Sequence, residues 1–204
     1  MTATPAAANA GWWRHIPNAI SAARLAATPV LLYLAVMRSR ESFAWLLLAC
    51  LLSDILDGLI ARAFRLRSAL GAVLDSVADM AVVALSLIGL FIFQMEFLRA
   101  NALPLSAPIA LYGLDVACAL WRYGRISSFH TVLVRISAYL QGTFIMWLFF
   151  WGPASWLLYV MIGVTCVAYL EEMALMALMP DWTTDVRGIY WVLRKREPKA
   201  AAAE

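Results

Sequence analysis

The chain runs Asp54-Ile-Leu-Asp57-Gly58-Leu-Ile-Ala61-Arg62 and, eight residues later, Gly71-Ala-Val-Leu-Asp75-Ser-Val-Ala-Asp79. Four carboxylates thus stand inside otherwise apolar sequence of membrane-spanning length. Acidic side chains are costly in lipid, and by default they mark a functional site there. Asp54, Asp57, Gly58 and Ala61 follow the i, i+3, i+4, i+7 spacing of one helix face, while Gly71, Asp75 and Asp79 step by fours along another. Two helices are predicted, each carrying a carboxylate pair on one stripe. With the basic stretch 63–68 as the turn between them, the stripes can face each other at one membrane surface. The product would be a four-carboxylate cup.

Ligand chemistry narrows what such a cup holds. Oxygen-only carboxylate sites suit the hard cations Mg²⁺ or Mn²⁺, and no His or Cys lies in the motif to favour zinc. Four gathered acids repel one another, and two divalent cations would cancel their formal charge. Gly58 and Gly71 leave room for a ligand to approach the backbone, and the Arg62 guanidinium is a fork that matches phosphate oxygens. Metals, small residues and one arginine together describe a pyrophosphate-binding site.

The pattern D-x2-D-G-x2-A-R-x8-G-x3-D-x3-D is filled at all eight fixed positions. On this motif the chain resembles the CDP-alcohol phosphatidyltransferase family, class I, in a form similar to phosphatidylglycerophosphate synthases. The segment Ile16-Pro17-Asn18-Ala-Ile-Ser21-Ala-Ala-Arg24, with Pro29, is similar to the family's opening helix. The resemblance implies an enzyme of phospholipid biosynthesis that uses two divalent cations, Mg²⁺ or Mn²⁺. It would transfer the phosphatidyl group of CDP-diacylglycerol to a small polar alcohol and release CMP. It also implies that Asp54, Asp57 and Asp75 hold the metals, with Asp79 near the second metal and acting as general base. Gly58, Ala61 and Gly71 would give the nucleotide room, and Arg62 would hold a phosphate. A homodimer is implied as well.

Two details of this resemblance bear on the acceptor. Glycerol-phosphate transferases of the family often read Asp-Pro-x-Ala-Asp-Lys in the second half of the motif, whereas this chain reads Asp75-Ser76-Val77-Ala78-Asp79-Met80. Both the Pro and the Lys are missing. Glycerol 3-phosphate remains the expected acceptor, on overall size and the opening helix, with serine, inositol or inositol phosphate as alternatives. Arg24 shares a helix face with Ile20 and Ser21. It either binds nucleotide or phosphate alongside Asn18 or pairs with one motif Asp.

Working outward, the 204 residues are 64% hydrophobic and 14% charged, too apolar for an ordinary soluble domain. Six stretches reach the roughly 20 apolar residues a membrane span needs: Ala19 to Met37, Phe43 to Ala61, Ala69 to Phe93, Pro104 to Trp121, Val132 to Trp151 and Ala154 to Met179. An all-α polytopic membrane protein with one six-helix domain over 12–180 is expected. Its flanks would be a disordered tail at 1–11, without the pattern of a signal peptide, and a basic tail at 181–204. Trp12-Trp13-Arg14-His15 and Tyr190-Trp191-Val-Leu-Arg194-Lys195-Arg196 read as short interfacial anchors.

Basic residues set the expected orientation. Of 16 Lys and Arg, 12 fall on one side, among them Arg14, Arg62, Arg65, Arg67, Arg122, Arg125, Arg135 and the C-terminal group, against Arg38, Arg40 and Arg99 opposite. Cytoplasmic loops carry that excess, so both termini and the acidic site are expected in the cytoplasm, at a bacterial inner membrane. The net charge of +3 follows from this bias and does not point to nucleic acid.

The remaining polar residues are weighed against plainer readings. Arg122, Arg125, His130 and Arg135 cluster where the fifth span opens, and could hold an acceptor's phosphate or carboxylate or merely follow the charge bias. Asp115, Glu171 and Glu172 are read as structural or boundary residues. Cys50, Cys118 and Cys166 have no metal-binding spacing and are read as buried thiols. A divalent-cation transporter and an inactive membrane scaffold are the rivals from other classes.

Overall fold

A computed structural model describes residues 16–64, 69–124, 131–179 and 188–189 of the protein. Seven helices fill them: α1 (Ile16–Val36), α2 (Arg40–Ala63), α3 (Ala69–Phe93), α4 (Met95–Ala100), α5 (Ala102–Tyr123), α6 (Val132–Phe150) and α7 (Ser155–Leu178). All but α4 are long and apolar enough to cross a membrane. A helix satisfies its own backbone polar groups, which lipid cannot do, so six such segments make an all-helical integral membrane protein. The expected spans match to within a few residues. Two differences stand out: α2 starts at Arg40 rather than Phe43, and the six-residue α4 was not expected. The tail at 1–11, both aromatic-basic anchors and most of the C-terminal tail lie outside the described residues.

Local chemistry explains the helix ends and one interruption. Pro29 lies inside α1 and has no N–H for the carbonyl of Leu25; the Thr28 hydroxyl donates to that carbonyl instead, at 2.7 Å. The helix closes on Arg38 in the left-handed region (φ 55°), with Arg38 N–H donating to Ala35 O at 3.1 Å and Ser39 N–H to Leu34 O at 3.0 Å. That is the pair of hydrogen bonds of a Schellman turn, formed without its usual glycine. Gly124 does supply the left-handed residue (φ 64°) after α5. Thr131 caps α6, its side chain accepting from Val134 N–H at 3.2 Å.

The chain divides into two compact units, meeting in sequence between Met95 and Glu96. In the first, α1 packs extensively against both α2 and α3, while α2 and α3 touch each other much less. Phe43 at the start of α2 meets Phe93 at the end of α3, with ring centroids 5.5 Å apart. The two motif helices are therefore antiparallel. Instead of facing each other directly, they are bridged by α1. In the second unit, α7 packs against α5 and α6. Tyr112 meets Tyr169 at 5.5 Å, Ala119 packs with Met176, and Arg122 Nη2 donates to Met179 O. These pairs share an offset of 57 residues, so α5 and α7 run parallel and in register.

Candidate metal centre

The site sits where the first unit's helices bring three ends together: the first half of α1, the last part of α2 and the first half of α3. At 1.5 Å per residue, Asp54 and Asp57 lie roughly 9–15 Å from the C-terminal end of α2, and Asp75 and Asp79 as far from the N-terminal end of α3. Asp54 and Asp57 share the α2 stripe, and Asp75 and Asp79 the α3 stripe, as the spacing predicts.

Carboxylate oxygens of Asp54, Asp57 and Asp75 all lie within 4.8 Å of one another, a separation that lets one ion bond to all three. Asp57 is the buried floor of the cup, its side chain 4% exposed. The other three stay open, with Asp54, Asp75 and Asp79 at 44%, 42% and 43%. That exposure leaves them accessible to a ligand. Three hard oxygen donors at this spacing fit Mg²⁺ or Mn²⁺. Asp79 lies outside that triplet.

Between the carboxylates stands Arg24 of α1, its side chain 1% exposed. Nη1 donates to Asp54 at 3.2 Å, Asp75 at 3.3 Å and Asp79 at 2.5 Å; Nη2 donates to Asp57; Nε donates to Ser53 Oγ at 3.2 Å. Arg24 thus pairs with all four motif carboxylates, where the sequence reading weighed a single partner. Ser21, one turn earlier on α1, donates toward Asp57 (3.3 Å) and Asp75 (3.4 Å). Neither Ser21 nor Ser53 was singled out as a site residue. The available signal was helical spacing: Ser21 lies three residues before Arg24, on the same stripe, and Ser53 adjoins Asp54.

Other expected residues fare differently. Gly58 and Gly71 are half-buried on α2 and α3, next to Asp57 and one turn before Asp75. Asn18 is half-buried on α1, two turns before Arg24. Ala61 and Arg62 belong to α2 by backbone, but their side chains lie outside the described residues, as do Arg125 and His130. Arg122 and Arg135 are exposed; Arg122 lies over the Tyr123 ring at 5.7 Å and donates to Met179 O at 3.4 Å. Of the acids read as structural, Asp115 is 2% exposed and Glu172 7%, while Glu171 accepts from Ile189 N–H at 3.1 Å.

Charge decides what the cup attracts. Among the described residues one guanidinium faces four carboxylates, so the acids there outnumber their paired cation. Such a concentration of acid favours the binding of further cations.

The family described as CDP-alcohol phosphatidyltransferase matches residues 14–171. The CDP-diacylglycerol–glycerol-3-phosphate 3-phosphatidyltransferase 1 of Arabidopsis thaliana (chloroplastic/mitochondrial) is 34% identical over 113 residues, 52% of this chain and 38% of its own length. The enzyme named CDP-diacylglycerol–glycerol-3-phosphate 3-phosphatidyltransferase in Aquifex aeolicus is 33% identical over 85 residues, 42% of this chain and 48% of its own. A cardiolipin synthase (CMP-forming) of Streptomyces coelicolor is 42% identical over 82 residues, 37% of this chain and 38% of its own. The chain thus spans less than half the length of these relatives. No solved structure matches it.

Proposed function

The chain belongs to the CDP-alcohol phosphatidyltransferase family, and on that premise we propose that it transfers the phosphatidyl group of CDP-diacylglycerol to glycerol 3-phosphate, releasing CMP. The observation that carries this reading is the cluster of Asp54, Asp57 and Asp75 oxygens within 4.8 Å, with Asp79 alongside on the same guanidinium. In this reading Asp54, Asp57 and Asp75 hold two divalent cations, Mg²⁺ or Mn²⁺, with Asp79 close to the second. When bound, the cations neutralise the pyrophosphate oxygens and the charge that builds on departing CMP.

The chain's own groups do the rest. Asp79 takes the proton from the acceptor hydroxyl as its oxygen attacks the phosphorus that carries diacylglycerol. The bond from that phosphorus to the bridging oxygen breaks, and CMP leaves with the electron pair. Asp79 suits the role because it stands outside the metal-binding triplet yet keeps an open side chain beside it. Gly58, Ala61 and Gly71 leave space for the nucleotide, and Arg62 and Asn18 bind phosphate. Arg122, Arg125, His130 and Arg135 recognise the acceptor. The active face and both termini are cytoplasmic in a bacterial inner membrane, and the protein works as a homodimer.

A second reading, in which the acceptor is a glycerol phospholipid alcohol, draws on the 42% identity to a cardiolipin synthase. One assay separates the two. Purified protein in detergent receives CDP-diacylglycerol with Mg²⁺ or Mn²⁺ and, in parallel, glycerol 3-phosphate, phosphatidylglycerol, serine, inositol, inositol 1-phosphate or no acceptor. CMP release that requires glycerol 3-phosphate and stops with EDTA is expected. Release driven by another alcohol would replace the acceptor, and none with any alcohol would remove the proposed activity.

A further inference from the structure

We infer that Arg24 is a built-in competitor of the divalent cations: its guanidinium holds the four carboxylates together before loading and must give up carboxylate oxygens as the metals bind. The inference rests on the metal-binding reading proposed above. It starts from placement. Arg24 comes from α1, outside the motif helices, and its side chain is 1% exposed. Three of its nitrogens reach every motif acid and Ser53.

Guanidinium keeps its charge in proteins, so the cup always contains one fixed positive charge. That charge has two opposite effects. Without it, four carboxylates in a low-dielectric setting would repel one another strongly and splay their helices. With it, an incoming cation meets a like charge at the centre of its own ligand set and must share oxygens already engaged by N–H groups. A brace and a competitor are therefore the same side chain. They make opposite predictions on removal: loss of a pure brace weakens metal binding, whereas loss of a competitor tightens it. Competition dominates here because the donors sit on the ligating carboxylates themselves, whereas a brace would act from behind them.

By linkage, what the metal does to Arg24, Arg24 does to the metal. The test is Mn²⁺ binding by calorimetry on EDTA-stripped full-length protein in detergent, with thermal unfolding in parallel. Arg24→Gln is expected to bind Mn²⁺ about tenfold more tightly than wild type. Its unfolding midpoint should be lower in EDTA and rise further on adding Mn²⁺. Arg24→Lys, which keeps the charge, should stay near the wild-type affinity. Equal or weaker binding by folded Arg24→Gln overturns the inference and leaves the metal centre intact. Failure of the wild type to bind Mn²⁺ removes the metal centre itself, and the inference with it. Should Arg24→Gln not fold, the Arg24 Nε–H signal of ¹⁵N-labelled wild type answers the same question. It is expected to shift as Mg²⁺ is added, and a signal unmoved at saturating Mg²⁺ overturns competition.

Discussion

A carboxylate within a membrane helix is costly without a partner, and here four of them share the Arg24 guanidinium. Each motif acid has a separable expected role. Asp79→Asn should lower turnover at least about 100-fold, the size of a general-base contribution, while CDP-diacylglycerol binding stays measurable. Near-normal turnover would reassign the base. Asp57→Asn, at the buried floor, should instead weaken Mn²⁺ binding measured directly. Ser21→Ala removes the hydroxyl whose one proton is shared between Asp57 and Asp75. Support of this kind behind a metal ligand is worth about tenfold in affinity, so Mn²⁺ binding should weaken by that order in calorimetry. The acids were legible in the sequence because intramembrane charge is rare. The serines were not, because helical hydroxyls commonly bond their own backbone, as Ser86, Ser106 and Ser137 do here.

At the level of elements, two places in the fold carry an avoidable cost. Arg38 closes α1 in a left-handed conformation that disfavours any residue with a Cβ. Arg38→Gly should therefore stabilise by about 1 kcal/mol, read as a rise of a few degrees in the unfolding midpoint. Asp115 is the other place. Its Oδ1 is buried without a hydrogen-bond partner among the described residues, and the α5/α7 register sets it opposite Glu172, another buried acid. Asp115→Asn keeps the shape and removes one of two like charges, so the midpoint should hold or rise. A fall of more than about 5 °C would show that the carboxylate is held by a partner.

On the scale of the whole molecule, an even number of spans would return the chain to its starting side, and from the charge bias we propose that this side is cytoplasmic. The prediction is a labelling pattern. In a background lacking Cys50, Cys118 and Cys166, a cysteine at Ser68 should react with a membrane-impermeant maleimide only after the inner face is exposed. Cysteines at Ser39 or Asn101 should react in intact cells. The reverse pattern would put the acidic cup outside, away from nucleotide-activated lipid, and would argue against the proposed reaction.

Composition and spacing alone determined the membrane class, the six spans and the two acidic stripes. Those are local properties: hydrophobic length sets a span, and a 3.6-residue period sets a face. Only the tertiary structure decided that α1 bridges the motif helices and that Arg24 meets all four acids, with Ser21 and Ser53 completing the set. The physical reason is that a helix pattern states which side chains share a face but says nothing of which neighbour that face will meet. In lipid the neighbour is chosen by close packing and by the demand of buried charge for its opposite, and both are settled only once separate segments come together.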